Sequence, residues 1–266
     1  MEKPVSNYVI QSLWIGDTLS NVEKLCIKSF LDYGHDFHLY CYDQIANVPK
    51  GTKLFDASKI LSREAIFQNK KGWGGGSFSG FADFFRILLL QAKGGWWVDM
   101  DIICLKEFDF AEDLIICSSY EGEYGAIANN CVIKAAAGNK FINHCANELS
   151  KFEPDNLGFG AAGPFLFQRL VKELDMKEKI VPYYTFNPIN WKNVGELILS
   201  DRSFLAEVKE LIRPIFKPST MVGRKILPQS FAVHFWNEVW RNHPYDKNAT
   251  YPRHSVFEKL KKKHGV

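Results

Sequence analysis

The chain has 266 residues, 46% of them hydrophobic and 24% charged, with 33 basic against 30 acidic side chains. That length suits one large α/β domain, or one domain with a small appendage, and the apolar fraction excludes intrinsic disorder as a description of the whole. A net charge of +3 is too weak for a nucleic-acid binder, and it is unevenly placed: residues 253–266 hold five Lys/Arg and one Glu, so the body is near neutral and the end is basic.

Residues 8–15 (YVIQSLWI) read as a short first strand closed by Gly16-Asp17. Residues 21–33 place Val22, Leu25, Cys26, Ser29 and Phe30 at helical spacing and stop near Gly34. Residues 37–42 alternate and lead to an aspartate, as a second strand would. Strand, helix, strand predicts a parallel α/β sheet. The glycine-rich residues 72–80 are either a plain connector or a loop over a site. An apolar helix over 81–93 follows, stopped by Gly94-Gly95. Residues 96–105 (WWVDMDIICL) read as one continuous strand, 114–118 and 126–133 as further strands, and 139–149 and 164–174 as helices. The stretch 182–228, rich in Pro, Asn and aromatics, gives no periodicity to read, and 231–236 (FAVHFW) is a late buried strand or loop.

Nothing reaches about 18 consecutive apolar residues, the length of a membrane-spanning helix, and residues 1–16 lack the apolar core of a signal peptide. The six cysteines are scattered without a CxxC, which predicts free buried thiols in a reducing compartment. The expectation is a cytoplasmic protein.

The sharpest chemical feature is Asp99-Met100-Asp101. On a strand, residues i and i+2 share a face, so the two carboxylates would lie side by side. Two like charges among apolar residues are costly without a counter-charge, and a divalent cation such as Mn²⁺ or Mg²⁺ removes that cost. The ordinary alternative is a strand end where one Asp caps a turn and the other meets an Arg. Upstream, Asp83 and Arg86 stand i, i+3 near the start of an otherwise apolar helix. They either pair on its surface or hold a phosphate or sugar hydroxyls. His234 is either a hydrogen-bonded core histidine or a further metal ligand. Trp14 ends the first strand, as core or at the edge where ligands bind. The glycine stretch lacks the ending of a P-loop, and His35, His38 and Cys41 lack a second ligand pair for zinc.

Leu13-Trp14-Ile15-Gly16, then Phe81-Ala82-Asp83-Phe84-Phe85-Arg86, then Gly94-Gly95-Trp96-Trp97-Val98-Asp99-Met100-Asp101 together resemble the DXD-containing sugar-binding glycosyltransferases of the family-32 type. That group includes α-1,4-galactosyltransferases and initiating mannosyltransferases, with the catalytic domains of the large clostridial toxins as more distant relatives. Gly160–Pro164 (GAAGP) and Ala232–Trp236 extend the likeness. Ala82, Ile87, Trp97 and Val239 depart from the family's residues at their positions.

The resemblance implies a GT-A fold: a single Rossmann-like nucleotide-sugar-binding α/β domain with a mixed, mostly parallel sheet, here over residues 1–250, followed by the basic end 251–266. It implies that Trp14 stacks on the nucleotide base, with the Ile15 backbone at its edge. Asp83 and Arg86 hold the donor sugar and ribose or phosphate, Asn130 stands near the sugar, Asp101 binds Mn²⁺ (or Mg²⁺) directly, Asp99 contacts ribose or metal, and His234 is a further metal ligand. Asp83, Arg86 and Asp101 are the expected catalytic residues. The implied activity is a retaining glycosyltransferase using a UDP-sugar, with a GDP-sugar the less favoured donor, and a glycan or lipid-linked acceptor. Two alternatives stand beside it: an effector-type enzyme modifying a protein, and a non-catalytic sugar-nucleotide-binding protein on the same fold. In the basic end, Phe257 and Leu260 stand i, i+3 among lysines, as in an interfacial helix on anionic lipid. The other reading is a solvated end.

Overall fold

In the computed structural model, which describes residues 7–217 and 222–266, β1 (Val9–Trp14) leads through α1 (Asn21–Asp32) to β2 (Asp36–Cys41). Ser20 opens α1 with a capping box. Its hydroxyl accepts from the Val22 N–H at 3.2 Å and its own N–H donates to Glu23 at 2.7 Å, an arrangement that contributes about 1 kcal/mol. A short exposed strand, β3 (Lys53–Asp56), follows in a stretch with no clear sequence signal. The apolar helix is α2 (Ser79–Lys93), and it ends at Gly94, φ +65°. A Cβ there would stand 2.4 Å from the Ala137 nitrogen, so only glycine lets the chain reverse into β4 (Gly95–Val98).

After β4 come β5 (Ile102–Cys104), β6 (Leu114–Tyr120), β7 (Ala126–Ala135), α3 (Lys140–Leu149) and α4 (Pro164–Glu173). The stretch that gave no periodicity holds a π-helical turn over Val194–Leu199 and a full helix, α5 (Phe204–Phe216). The chain closes with β8 (Ala232–His234), α6 (Asn237–Asn242) and α7 (Val256–His264).

The main sheet runs β3-β2-β1-β4-β7-β6. β1 pairs in parallel with β2 and β4, and β2 with β3, while β7 is antiparallel to both its neighbours. One strand thus runs against the rest, the mixed, mostly parallel sheet expected. Side chains alternate across it: Trp96 and Val98 enter the apolar layer under α1 and α7, and Trp97 enters the layer under α2, α3 and α4. The strand order reverses between β1 and β4, so the carboxyl ends of these two strands open a crevice of the kind where α/β sheets bind ligands.

Two expectations change. Residues 96–105 are not one strand. The Ile102 N–H bonds the Asp99 carbonyl at 3.0 Å in a turn, and β5 leaves the main sheet to pair with β8. The basic end is also not a solvated arm with a lipid-facing apolar edge. Phe257 and Leu260 are buried in the core, Lys263 Nζ donates to the Tyr33 hydroxyl at 2.6 Å, and His264 meets Asp32 at 2.8 Å. The free energy of burying that apolar pair, roughly 1.5–3 kcal/mol per side chain, holds α7 on the body.

Candidate active site

The Asp99–Asp101 turn lies at the carboxyl end of β4, and its two carboxylates diverge. Asp99 continues the Trp97 side: its Oδ1 accepts from the Trp97 indole N–H at 2.8 Å and pairs with Arg86 at 3.1 Å. Asp101 turns the other way. Its Oδ2 meets His234 Nε2 at 3.1 Å and accepts the Asn237 backbone N–H at 2.5 Å. The β5–β8 ladder delivers His234, since Ile102 is in register with it and the Phe235 N–H donates to the Asp101 carbonyl at 2.9 Å. The carboxylates therefore come together through a turn and a second ladder rather than the shared face of one strand. Even so, ligand atoms of Asp99, Asp101 and His234 all lie within 4.8 Å of one another.

The Asp83–Arg86 pair is buried, not on the helix surface. Arg86 is 3% exposed, lies 5.0 Å from the Trp97 ring centre, and donates to the Asn130 carbonyl at 2.6 Å. Arg86 also meets Asp83 at 3.3 Å, and Asp83 accepts from Asn130 Nδ2 at 2.8 Å. Asp83, Arg86, Asn130 and Asp99 thus form one linked cluster. Gly163, at the start of α4, closes over it: a Cβ there would stand 2.6 Å from Asp83 Oδ2 and 2.9 Å from Asn130 Nδ2. The GAAGP segment is at the site because glycine lets its backbone approach so closely.

The electrostatics follow from burial set against charge. Burial pushes the Asp83 carboxyl up to about 6, against the lowering pull of Arg86. Burial likewise raises Asp99 despite Arg86, with Asp101 adding to the rise. Burial alone would raise Asp101, but His234 and the Asn237 N–H bring it below the usual carboxylate range. His234 moves well up, because the attraction of Asp101 outweighs its burial. Two neighbouring carboxylates in a buried crevice, one of them at a histidine, form a site that favours bound positive charge.

The donor set fits a divalent cation. Two carboxylates and an imidazole suit Mn²⁺, and carboxylates with phosphates suit Mg²⁺. A second observation agrees: Asn237 Oδ1 is buried without a hydrogen-bond partner, although the backbone of the same residue holds Asp101. A buried oxygen without a donor is costly, and a cation or its water would satisfy it.

Trp14 and Ile15 stand at the carboxyl end of β1, one strand away from Asp99. The Trp14 indole donates to the Thr18 carbonyl at 3.0 Å, and Gly16, φ +144°, leaves room beside it. A cavity of about 670 Å³ lies against α6, lined in part by Trp191, Glu196, Asp201, His243 and Tyr245, and none of the carboxylate cluster lines it. The glycine-rich loop is tied to α6, through Arg241 to the Gly75 carbonyl and Asn242 to the Trp73 carbonyl, each at 3.0 Å.

Sequence reasoning missed two supports. Asn187 Oδ1 lies 2.9 Å from His234 Nδ1, and its amide donates to the Ser118 carbonyl at 2.8 Å, so it fixes the ring with Nε2 toward Asp101. Asn187 lies in the aperiodic stretch, where no spacing marks it. Trp236 stacks on His234 at 4.0 Å between ring centres and takes a left-handed backbone, φ +55°. Such strain costs on the order of 1–3 kcal/mol and here swings the Asn237 N–H onto Asp101.

Residues 20–120 match the family model described as the glycosyltransferase sugar-binding region containing DXD motif, and residues 134–264 match the alpha 1,4-glycosyltransferase conserved region. No curated protein sequence matches the chain. Among solved structures, the PaToxG glycosyltransferase is 17% identical, with 65% of this chain and 70% of that one covered and a TM-score of 0.48. The apo-form glycosyltransferase GlyE of Streptococcus pneumoniae TIGR4 is 11% identical, with 95% and 59% covered and a TM-score of 0.49. The UDP-bound glycosyltransferase domain from the YGT toxin is 11% identical, with 95% and 81% covered and a TM-score of 0.40. The two family matches together span most of the sequence and meet at the site assembled above: the chain belongs to the DXD-motif sugar-binding glycosyltransferases.

Proposed function

We propose that the chain is a divalent-metal-dependent, retaining glycosyltransferase that moves a hexose or N-acetylhexosamine from a UDP-sugar to a glycan or lipid-linked acceptor. The observation that carries this reading is the convergence of Asp99, Asp101 and His234 within 4.8 Å at the carboxyl end of β4, with Arg86 and Asp83 directly behind.

Asp101 and His234 would hold Mn²⁺ or Mg²⁺ with Asp99 beside them. When bound, the cation supplies electrostatic stabilisation of the charge that grows on the leaving diphosphate. Arg86, held by Asp83, Asp99 and the Asn130 carbonyl, keeps a fixed positive charge in the crevice and needs no reorganisation as that charge develops. Asp83 and Asn130 offer an acceptor and a donor to sugar hydroxyls. Trp14, at the adjoining strand end, offers an aromatic face to a base.

The test is a panel of sugar nucleotides with Mn²⁺, scored by nucleoside-diphosphate release without acceptor. One donor should be hydrolysed slowly, and Asp101→Ala should reduce its rate by about 10²–10³-fold, the scale of a lost transition-state charge contact. Turnover unchanged by chelation of divalent metal would refute the reading.

A further inference from the structure

The helix α5 is inside out. On a globular protein the apolar stripe of a helix faces the core, yet no residue of α5 is buried. Phe204 is 80% exposed, Leu211 77% and Ile215 75%, with Leu205, Ile212 and Phe216 also exposed. At 100° per residue these side chains fall on one continuous face. The opposite face carries Glu210 and Arg213, and it is pinned to the body. Arg213 meets Glu196 at 2.8 Å, while the buried Arg224 meets Glu196 at 2.7 Å and Glu210 at 2.8 Å. The ion pairs set the helix's orientation, and that orientation sends the apolar face outward.

We propose that α5 is an in-plane anchor that seats the protein on an anionic lipid surface. Charge favours that occupant. Residues 202–225 contain six Lys/Arg and two Glu. Glu207 is engaged by Arg202 and Glu210 by Arg213 and Arg224. Lys209, Lys217 and Lys225 are exposed on the same segment. An apolar face beside exposed lysines, with both acids of the helix held in ion pairs, is the pattern of an interfacial helix. Area disfavours a second copy of the chain: a 13-residue helix is about 20 Å long and about 10 Å wide, far short of the roughly 800 Å² per partner that a stable interface buries. A bilayer needs no shape complementarity. The apolar insertion expected of residues 253–266 thus belongs to α5, since Phe257 and Leu260 are consumed by the core. The segment Glu196–Asp201 on the wall of the 670 Å³ cavity runs directly into α5. Docking would therefore hold that cavity at the bilayer surface, within reach of a lipid-linked acceptor, a consequence that rests on the acceptor class proposed above.

The test is co-sedimentation of the full chain with vesicles of phosphatidylcholine alone and of phosphatidylcholine with phosphatidylglycerol, across a salt series. The protein should bind the anionic vesicles, more weakly as salt rises. Leu211→Glu with Ile215→Glu should reduce binding at least tenfold while leaving melting temperature and acceptor-independent donor hydrolysis unchanged. Lys259→Glu with Lys262→Glu in α7 should have the smaller effect. Equal binding by wild type and the α5 variant would overturn the proposal. So would a concentration-dependent dimer in light scattering that the α5 variant abolishes. Vesicle binding without donor hydrolysis would leave the anchor standing and defeat the catalytic reading, and the reverse result would do the opposite.

Discussion

Asn187 gives the most direct check on how the site is built. It is 1% exposed, and its amide oxygen lies 2.9 Å from His234 Nδ1, where it can accept the Nδ1 proton and hold Nε2 toward Asp101 and the metal site. Its amide nitrogen donates to the Ser118 carbonyl at 2.8 Å. Asn187→Ala removes both. The orphaned carbonyl costs about 1–3 kcal/mol of stability, whatever His234 does. Loss of the imidazole's orienting partner should weaken metal binding by about 10–100-fold, or about 1.4–2.8 kcal/mol. Asn187→Asp loses the same Ser118 hydrogen bond but keeps an acceptor at Nδ1. Titration of Mn²⁺ by electron paramagnetic resonance should therefore show Asn187→Asp near wild type and Asn187→Ala much weaker, with both less stable than wild type. Equal Mn²⁺ affinity for Asn187→Ala and wild type would refute the orienting role.

Gly163→Ala should damage the site through space alone, because its Cβ would meet Asp83 at 2.6 Å and Asn130 at 2.9 Å; donor KM should rise about tenfold or more, as measured by initial rates, and an unchanged KM would contradict the packing. Asp83 titrates at about 6 in the folded chain, above its ordinary 3.8. The native state therefore binds that proton more tightly, so this residue's contribution to stability grows as pH falls from about 6 toward 4 and is lost as pH rises again. The melting temperature of wild type minus that of Asp83→Asn should be larger at pH 4.5 than at pH 7.5, and a flat difference would contradict the burial argument. The same protonation removes an acceptor from the sugar site, so donor hydrolysis should decline below about pH 6. Cys41 is half-buried while the other five cysteines are buried and all six are free, so a thiol reagent should label at most one in the native protein and six after denaturation, without reductant.

Where local rules governed, the sequence was readable. The Gly94-Gly95 stop and the β1-α1-β2 alternation depend on neighbours within a few residues, and each appeared within a residue or two of its expected bounds. Asp83, Arg86, Asp99, Asp101 and His234 stood out as candidates from their own neighbours, and the family likeness added Asn130 and a role for each. The structure gathers them into two linked clusters, with Trp14 and Ile15 one strand away. What misled was the apolar run 96–105, whose hydrophobicity looks the same in one strand as in two strands of different sheets. Asp99 and Asp101 meet because the chain turns between them and β8 arrives from more than a hundred residues away.

Composition and periodicity alone determined an α/β chain with a carboxylate pair at a strand end. Only the tertiary structure decided which charges stand behind that pair and which side His234 approaches from. It also decided which amphipathic helix is sated and which is not. Both α5 and α7 carry an apolar face and lysines. The wheel cannot say which face meets the protein, because that depends on whether the body offers an apolar seat, as Phe235 and Trp240 do to Phe257, or the ion-pair partners Glu196 and Arg224 that turn α5 outward.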